Sequence, residues 1–233
     1  MWLLKSSIGK KLIMSITGLC LILFLTFHLC MNLVALFSTE GYNMICEFLG
    51  ANWYALAATM LLGAGVVIHI LYAFILYLQN RKARGNDAYA VAKKPKEVEW
   101  ASQNMLALGV IVFVFLGLHL YNFWAKMQLV EIAHQLGAHM DGLENATNGV
   151  YHIATTFANP VYVVLYLVGL GALWFHLTHG FWSAMHTIGI SNKTWINRWR
   201  YIGNIYVTIV MLGFALVVIV FFLKSLFCSG TYC

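Results

Sequence analysis

Five stretches without a single Asp, Glu, Lys or Arg, residues 12–39, 48–80, 100–125, 145–192 and 201–223, govern what this chain can fold into. About 20 apolar residues in a helix cross the hydrocarbon of a bilayer, so each stretch is long enough to span it. Backbone amides cannot be left unpaired in lipid, which makes the helix the natural form of such a run. The remaining composition agrees: 61% of the 233 residues are hydrophobic and 9% charged, against about 25% charged in a soluble domain. A soluble fold is excluded, and so is disorder, which needs low hydrophobicity and high net charge.

The expected fold is an all-α integral membrane protein, a single membrane domain over residues 1–233 with five transmembrane helices. The predicted spans are about 12–37, 53–79, 101–125, 160–184 and 202–224. The 145–192 run could hold two spans. Its first part, with Asn145, Asn148, His152 and the breaker Asn159-Pro160, is too polar, so one span is placed after the proline. One or two interfacial helices are expected in 127–158. The first run exceeds the apolar segment of a signal peptide and no Ala-x-Ala site follows, so the N-terminus is expected to be retained.

The net charge of +6 does not point to nucleic acid, because the basic residues sit in short connections. Lys5, Lys10 and Lys11 precede the first span, Arg81, Lys82, Arg84, Lys93, Lys94 and Lys96 fill the second connection, and Lys193, Arg198 and Arg200 fill the fourth. The first connection has none and the third has Lys126. This alternation places the N-terminus in the cytoplasm and the C-terminus outside. Trp2, Trp53, Trp100, Trp124, Trp182, Trp195 and Trp199 lie near span ends, as an interfacial aromatic belt does.

Nine histidines stand out against so apolar a background. His28, His69, His119 and His176 lie on four different spans, each in the C-terminal half. At 1.5 Å per residue, His28 and His119 are roughly 9–14 Å below the outer end, and His69 and His176 roughly 12–15 Å from the cytoplasmic end. One histidine in a membrane helix is most simply a hydrogen-bonding group between helices. Two pairs, one per leaflet, in a four-helix core suit the axial ligation of two b-type haems without covalent attachment. Zinc would want more ligands per layer. No Cys-x-x-Cys-His is present, which excludes c-type attachment.

Several features stay open at this level. His176 and His179 are three residues apart on neighbouring parts of one helix face. Gly18, Gly63, Ala64, Gly65, Gly109, Gly117, Gly169 and Gly171 could admit a flat macrocycle or equally serve close helix packing. Met31 and Met185 lie near histidines but are expected to fill apolar space. His134, His139, His152 and His186 fall outside the spans or at their ends and are expected to be solvated or interfacial, with His186 a weak candidate for a haem propionate. Cys20, Cys30 and Cys46 lie in or after the first run, and Cys228 and Cys233 at the C-terminus could pair.

The ordered set of motifs resembles a known family, the five-helix, di-haem cytochrome b (b558-type) membrane-anchor subunit of succinate dehydrogenases and quinol:fumarate reductases. The resemblance spans nearly the whole chain. Its carriers are Ser15-Ile-Thr-Gly18 with His28 ten residues later and Asn32 beyond, His69 in Val-Ile-His-Ile, His119 in Gly-Leu-His-Leu-Tyr, and His176-Leu-Thr-His-Gly180 followed by Gly189. The resemblance implies His28 and His119 as ligands of an outer haem b and His69 and His176 of an inner one. Its His-x-x-x-Gly spacing selects His176 over His179.

The same resemblance implies partners and a reaction. A flavoprotein subunit with FAD and an iron–sulfur subunit would dock on the cytoplasmic side, against Lys5–Lys11, Arg81–Glu99 and Ser191–Arg200, and electrons would pass to or from menaquinone in a bacterial cytoplasmic (inner) membrane. The quinone site is expected on the outer side, with Glu47 as its acid, Glu40 as the runner-up, and solvated loop carboxylates as the plain alternative. Some members carry a glutamate two residues before the fourth ligand for proton movement; Trp174 stands there in this chain. Two other readings compete: the cytochrome b of a hydrogenase or formate dehydrogenase, and a haem-free transporter.

Overall fold

The computed structural model describes residues 6–84 and 100–227, and among them it contains helices and turns but no strand. Five helices are long and apolar enough to cross a membrane. In chain order the elements are α1 (Ser7–Val34), α2 (Thr39–Phe48), α3 (Trp53–Arg84), α4 (Trp100–Gln103), α5 (Met105–Asn122), a 3-10 turn at Trp124–Lys126, α6 (Gln128–Gln135), a second 3-10 turn at Leu143–Asn145, α7 (Gly149–Phe157), α8 (Pro160–Thr187) and α9 (Trp195–Phe227). Lys5, Lys93, Lys94, Lys96 and the Cys228 and Cys233 pair lie outside the described residues.

Local chemistry sets the helix starts. Ser6, Ser38 and Asn148 accept backbone N–H groups of Gly9, Gly41 and Tyr151 at 2.9, 2.9 and 3.0 Å, each meeting a first-turn donor that no carbonyl can reach. Asn159 does the same for Val161 at 2.9 Å, and Pro160 occupies the first turn of α8, where its missing N–H costs nothing. The Asn-Pro pair thus ends α7 and starts α8 at the expected place.

The boundaries differ from the sequence expectation in instructive ways. The first span ends at Val34 rather than residue 37, and Ser38 starts a separate helix over part of the first connection. Helices α3 and α9 run past the apolar stretches into Arg81–Arg84 and back to Trp195. The third span is cut by α4 and finishes at Asn122. Hydropathy measures what lipid covers, whereas a helix continues as long as its backbone bonds propagate. The 127–158 segment holds two α-helices, α6 and α7.

Helix α8 is the hub, with its most extensive contact to α9 and further contacts to α1 and α5, while α3 packs chiefly along α1. The densest packing is therefore not among the four histidine-bearing helices. One apolar cluster joins α1, α8 and α9 through Ile22, Leu29, Leu170, Val207 and Met211. A second gathers Tyr42, Ile153, Phe157, Tyr166 and Phe221 at the end of the molecule that carries α2, α6 and α7. We call this the cap end. The end of α1 and the start of α3 both meet the cap, through Asn32 with Tyr42 and Thr59 with Gln128, as do Tyr166 near the start of α8 and Phe221 near the end of α9, so α1/α3 and α8/α9 are antiparallel. Lys10, Lys11, Arg81, Lys82, Arg198 and Arg200 consequently gather at the opposite end.

Candidate functional site

The structure brings the four histidines into two facing pairs. His28 of α1 and His119 of α5 have ring centres 5.7 Å apart with planes at 89°. His69 of α3 and His176 of α8 have ring centres 6.4 Å apart at 65°. A metal–imidazole bond is about 2.0–2.1 Å, so two imidazoles on opposite sides of one metal atom have ring centres about 6 Å apart. Among the described residues no three His, Cys, Asp or Glu side chains converge on a metal position. Among the described residues each layer therefore brings two imidazoles together and no tetrahedral shell.

Two independent rulers give the distance between the layers. On α1, Gly18 lies against the His69 ring, at 3.3 Å from where its Cβ would be, and His28 is ten residues further on. On α5, Gly109 lies beside His176, and His119 is again ten residues further on. Ten residues of helix rise about 15 Å. The agreement fixes the pairs as stacked along the bundle, with His28 and His119 toward the cap end.

Each pair has distinct surroundings. The Thr17 hydroxyl is 3.1 Å from His69 Nδ1 and donates to the Ile13 carbonyl at 2.9 Å. His176 Nδ1 is buried without a hydrogen-bond partner. His179 meets the Trp182 indole edge-on at 5.0 Å, with Arg200 stacked on Trp182 at 4.4 Å. Of the two histidines left open on spacing, His176 is the one whose ring meets that of His69. At the cap end, Phe24 stacks on His28, Phe123 lies 5.1 Å from His119, and the fully buried Asn122 donates to the Tyr166 hydroxyl at 3.2 Å.

The glycines divide into two groups. Gly169 is a close-packing residue, since a Cβ there would collide with the Phe115 ring of α5. At Gly63, Gly65, Gly117 and Gly171 a Cβ would meet nothing within 4 Å, so close packing does not explain them. The four histidine side chains are themselves only half-buried although they lie mid-span, which is what incomplete filling between α1, α3, α5 and α8 produces.

The two acidic candidates fall together: Glu40 and Glu47, both exposed, line an open depression of ≈ 390 Å³ with Asn43, Met44, Thr147 and Asn148. The acid engaged with the body of the cap is a different one, Glu131, whose carboxylate accepts the Ala51 N–H at 3.1 Å. Beside it the buried Gln128 accepts from Thr59 at 3.0 Å and Trp124 at 2.9 Å and donates to the Gly50 carbonyl at 3.0 Å. Sequence reasoning passed over Gln128, Glu131 and Tyr42; polar residues spaced along an amphipathic connection were the available signal.

Of the two settings expected for His152, the solvated one is excluded: it is 5% exposed, with Nε2 2.9 Å from the Asn145 carbonyl. Burial lowers its pKa from the usual 6.5, and the Asn145 carbonyl offsets part of that. Burial also pushes Tyr42 up and Cys46 up to about 11. His134, His139 and His186 are exposed, as expected. Trp174 donates its indole N–H to Thr208 of α9 at 2.9 Å, which makes it a packing residue between α8 and α9.

No protein-family model, curated protein or solved structure matches this chain.

Proposed function

We propose that this chain is the membrane-anchor cytochrome b subunit of a succinate dehydrogenase or quinol:fumarate reductase, holding two haems b and passing electrons between cytoplasmic flavoprotein and iron–sulfur subunits and menaquinone. The observation that carries the reading is the stacking of two facing imidazole pairs, at 5.7 and 6.4 Å, about 15 Å apart along the bundle. His28 and His119 would hold the outer haem and His69 and His176 the inner one. A haem b held between two imidazoles at each layer would supply single-electron transfer.

The chain's own groups have definite tasks in this reading. Thr17 accepts the His69 Nδ1 proton while its hydroxyl hydrogen goes to the Ile13 carbonyl, which leaves Nε2 as the ligating nitrogen. The basic end faces the cytoplasm and the soluble partners, and the cap end faces outward. Quinone reacts at the cap end, because a second haem is useful only if electrons must travel beyond the first. Glu47 or Glu40, in their shared depression, handles the accompanying protons.

The test is purification of the intact complex from native membranes with subunit identification and a pyridine haemochrome count. Two haems b per chain are expected, together with a flavin-containing partner. His176→Ala should leave one haem and His179→Ala two. A partner with nickel or molybdenum would favour the hydrogenase or formate dehydrogenase reading, and a chain without haem would overturn the proposal.

A further inference from the structure

At the cap end a line of polar contacts runs from the interfacial helices to the outer histidine pair. Gly149 at the start of α7 lies against the Cys46 thiol and the Tyr42 ring, which is one turn earlier on α2. Tyr42 donates to Asn32 Oδ1 at 3.2 Å. Asn32 Nδ2 donates to the His28 carbonyl at 2.8 Å and stands 3.5 Å from both ring nitrogens of His28. Being equidistant, the amide lies against the imidazole rather than end-on to one nitrogen, and at 3.5 Å it is a packing contact.

His28 is thereby held from both directions along its helix. Phe24, four residues before, stacks on it at 5.4 Å with planes 17° apart, and Asn32, four residues after, presses from the other turn; residues at this spacing share one helix face. The bond to the His28 carbonyl anchors Nδ2 but leaves the tilt of the amide to its second partner. Its orientation is set by the Tyr42 hydroxyl, which is itself immobilised: Tyr42 is buried in the cap cluster with Ala35, Val150, Ile153 and Phe157.

We infer that Tyr42 is a positioning residue for the outer histidine pair: through Asn32 it fixes the plane of the His28 imidazole relative to His119, so that the packing of α2 against α7 sets the geometry of that layer and leaves the other untouched. The inference rests on the proposed haem ligation and adds a residue to it. Among the described residues, the hydroxyl contact of the other pair comes from Thr17 of α1. Changes at the outer cap should therefore register selectively in the outer haem.

Tyr42→Phe in the purified complex is the direct test, because it keeps the ring that fills the cap cluster and removes only the hydroxyl. Electron paramagnetic resonance and redox titration should show two low-spin haems in the unaltered complex. In the variant, the signal that His28→Ala abolishes should shift in g-anisotropy and midpoint potential, while the other stays fixed. Asn32→Ala should reproduce the shift, and the double variant should add nothing, the non-additivity that contacting residues in one chain of action show. If Tyr42→Phe fails to assemble, Asn32→Ala decides by the same readouts. Two unchanged signals at full haem content, or an additive double variant, overturn the inference while leaving the haem reading intact. Absence of haem in the unaltered complex overturns both.

Discussion

Thr17 and His69 are joined across α1 and α3 by a 3.1 Å contact between hydroxyl and Nδ1, directly beside the point where Gly18 lets the imidazole lie against the α1 backbone. A serine or threonine hydroxyl that already donates to a carbonyl one turn back has its lone pairs left to accept. With Nδ1 as donor to Thr17, the His69 proton sits on that nitrogen and Nε2 carries the lone pair.

Thr17→Val keeps the shape and removes the acceptor. The lost hydrogen bond costs about 0.5–1.5 kcal/mol, enough to loosen the His69 ring without unfolding the bundle. Redox titration of the cytochrome α-bands should show the inner component shifted or heterogeneous and the outer component unchanged. An unaltered inner component would mean that the Thr17 contact does not orient the ligand.

Gly169 and Gly171 give a contrast within two residues. A methyl at Gly169 collides with Phe115, whereas one at Gly171 meets open space. Overpacking of this kind costs about 1–3 kcal/mol, so thermal unfolding in detergent should occur at clearly lower temperature for Gly169→Ala than for Gly171→Ala. Equal melting temperatures would show that α5 and α8 separate freely.

His152 predicts a pH dependence of the cap. Its folded pKa lies below the unfolded 6.5, so the unfolded segment binds more protons in acid. Cap stability is then complete above about pH 6.5 and falls as pH drops below it toward the folded pKa. Hydrogen exchange over residues 143–157 should accelerate in that window, and His152→Gln should flatten the response. A pH-independent exchange rate in the unaltered protein would contradict the burial of a neutral imidazole there.

Glu47→Gln separates the two roles open to the exposed depression. Quinone-linked turnover should fall by a large factor while both haems and dye-linked succinate or fumarate turnover persist. The same substitution at Glu40 is expected to do less. Unchanged quinone-linked activity in Glu47→Gln would remove that carboxylate from the site and leave it a solvated loop residue.

The sequence by itself determined the five long helices and the relative heights of His28, His69, His119 and His176 along them. Both are one-dimensional quantities: lipid demands an apolar length, and a helix rises a constant 1.5 Å per residue, so counting along the chain reads off height. The facing of His28 with His119 and of His69 with His176 follows the same counting. What only the tertiary structure decided is rotation about each axis and burial in the connections. The choice of His176 over His179 depends on which part of α8 turns toward α3, and the division of the glycines depends on whether a neighbour such as Phe115 reaches them. His152 is buried because α7 packs against α9 and α2, and Tyr42 reaches Asn32 because α2 packs against α1. Those placements are set by side chains distant in sequence meeting in space, which no periodicity along one segment encodes.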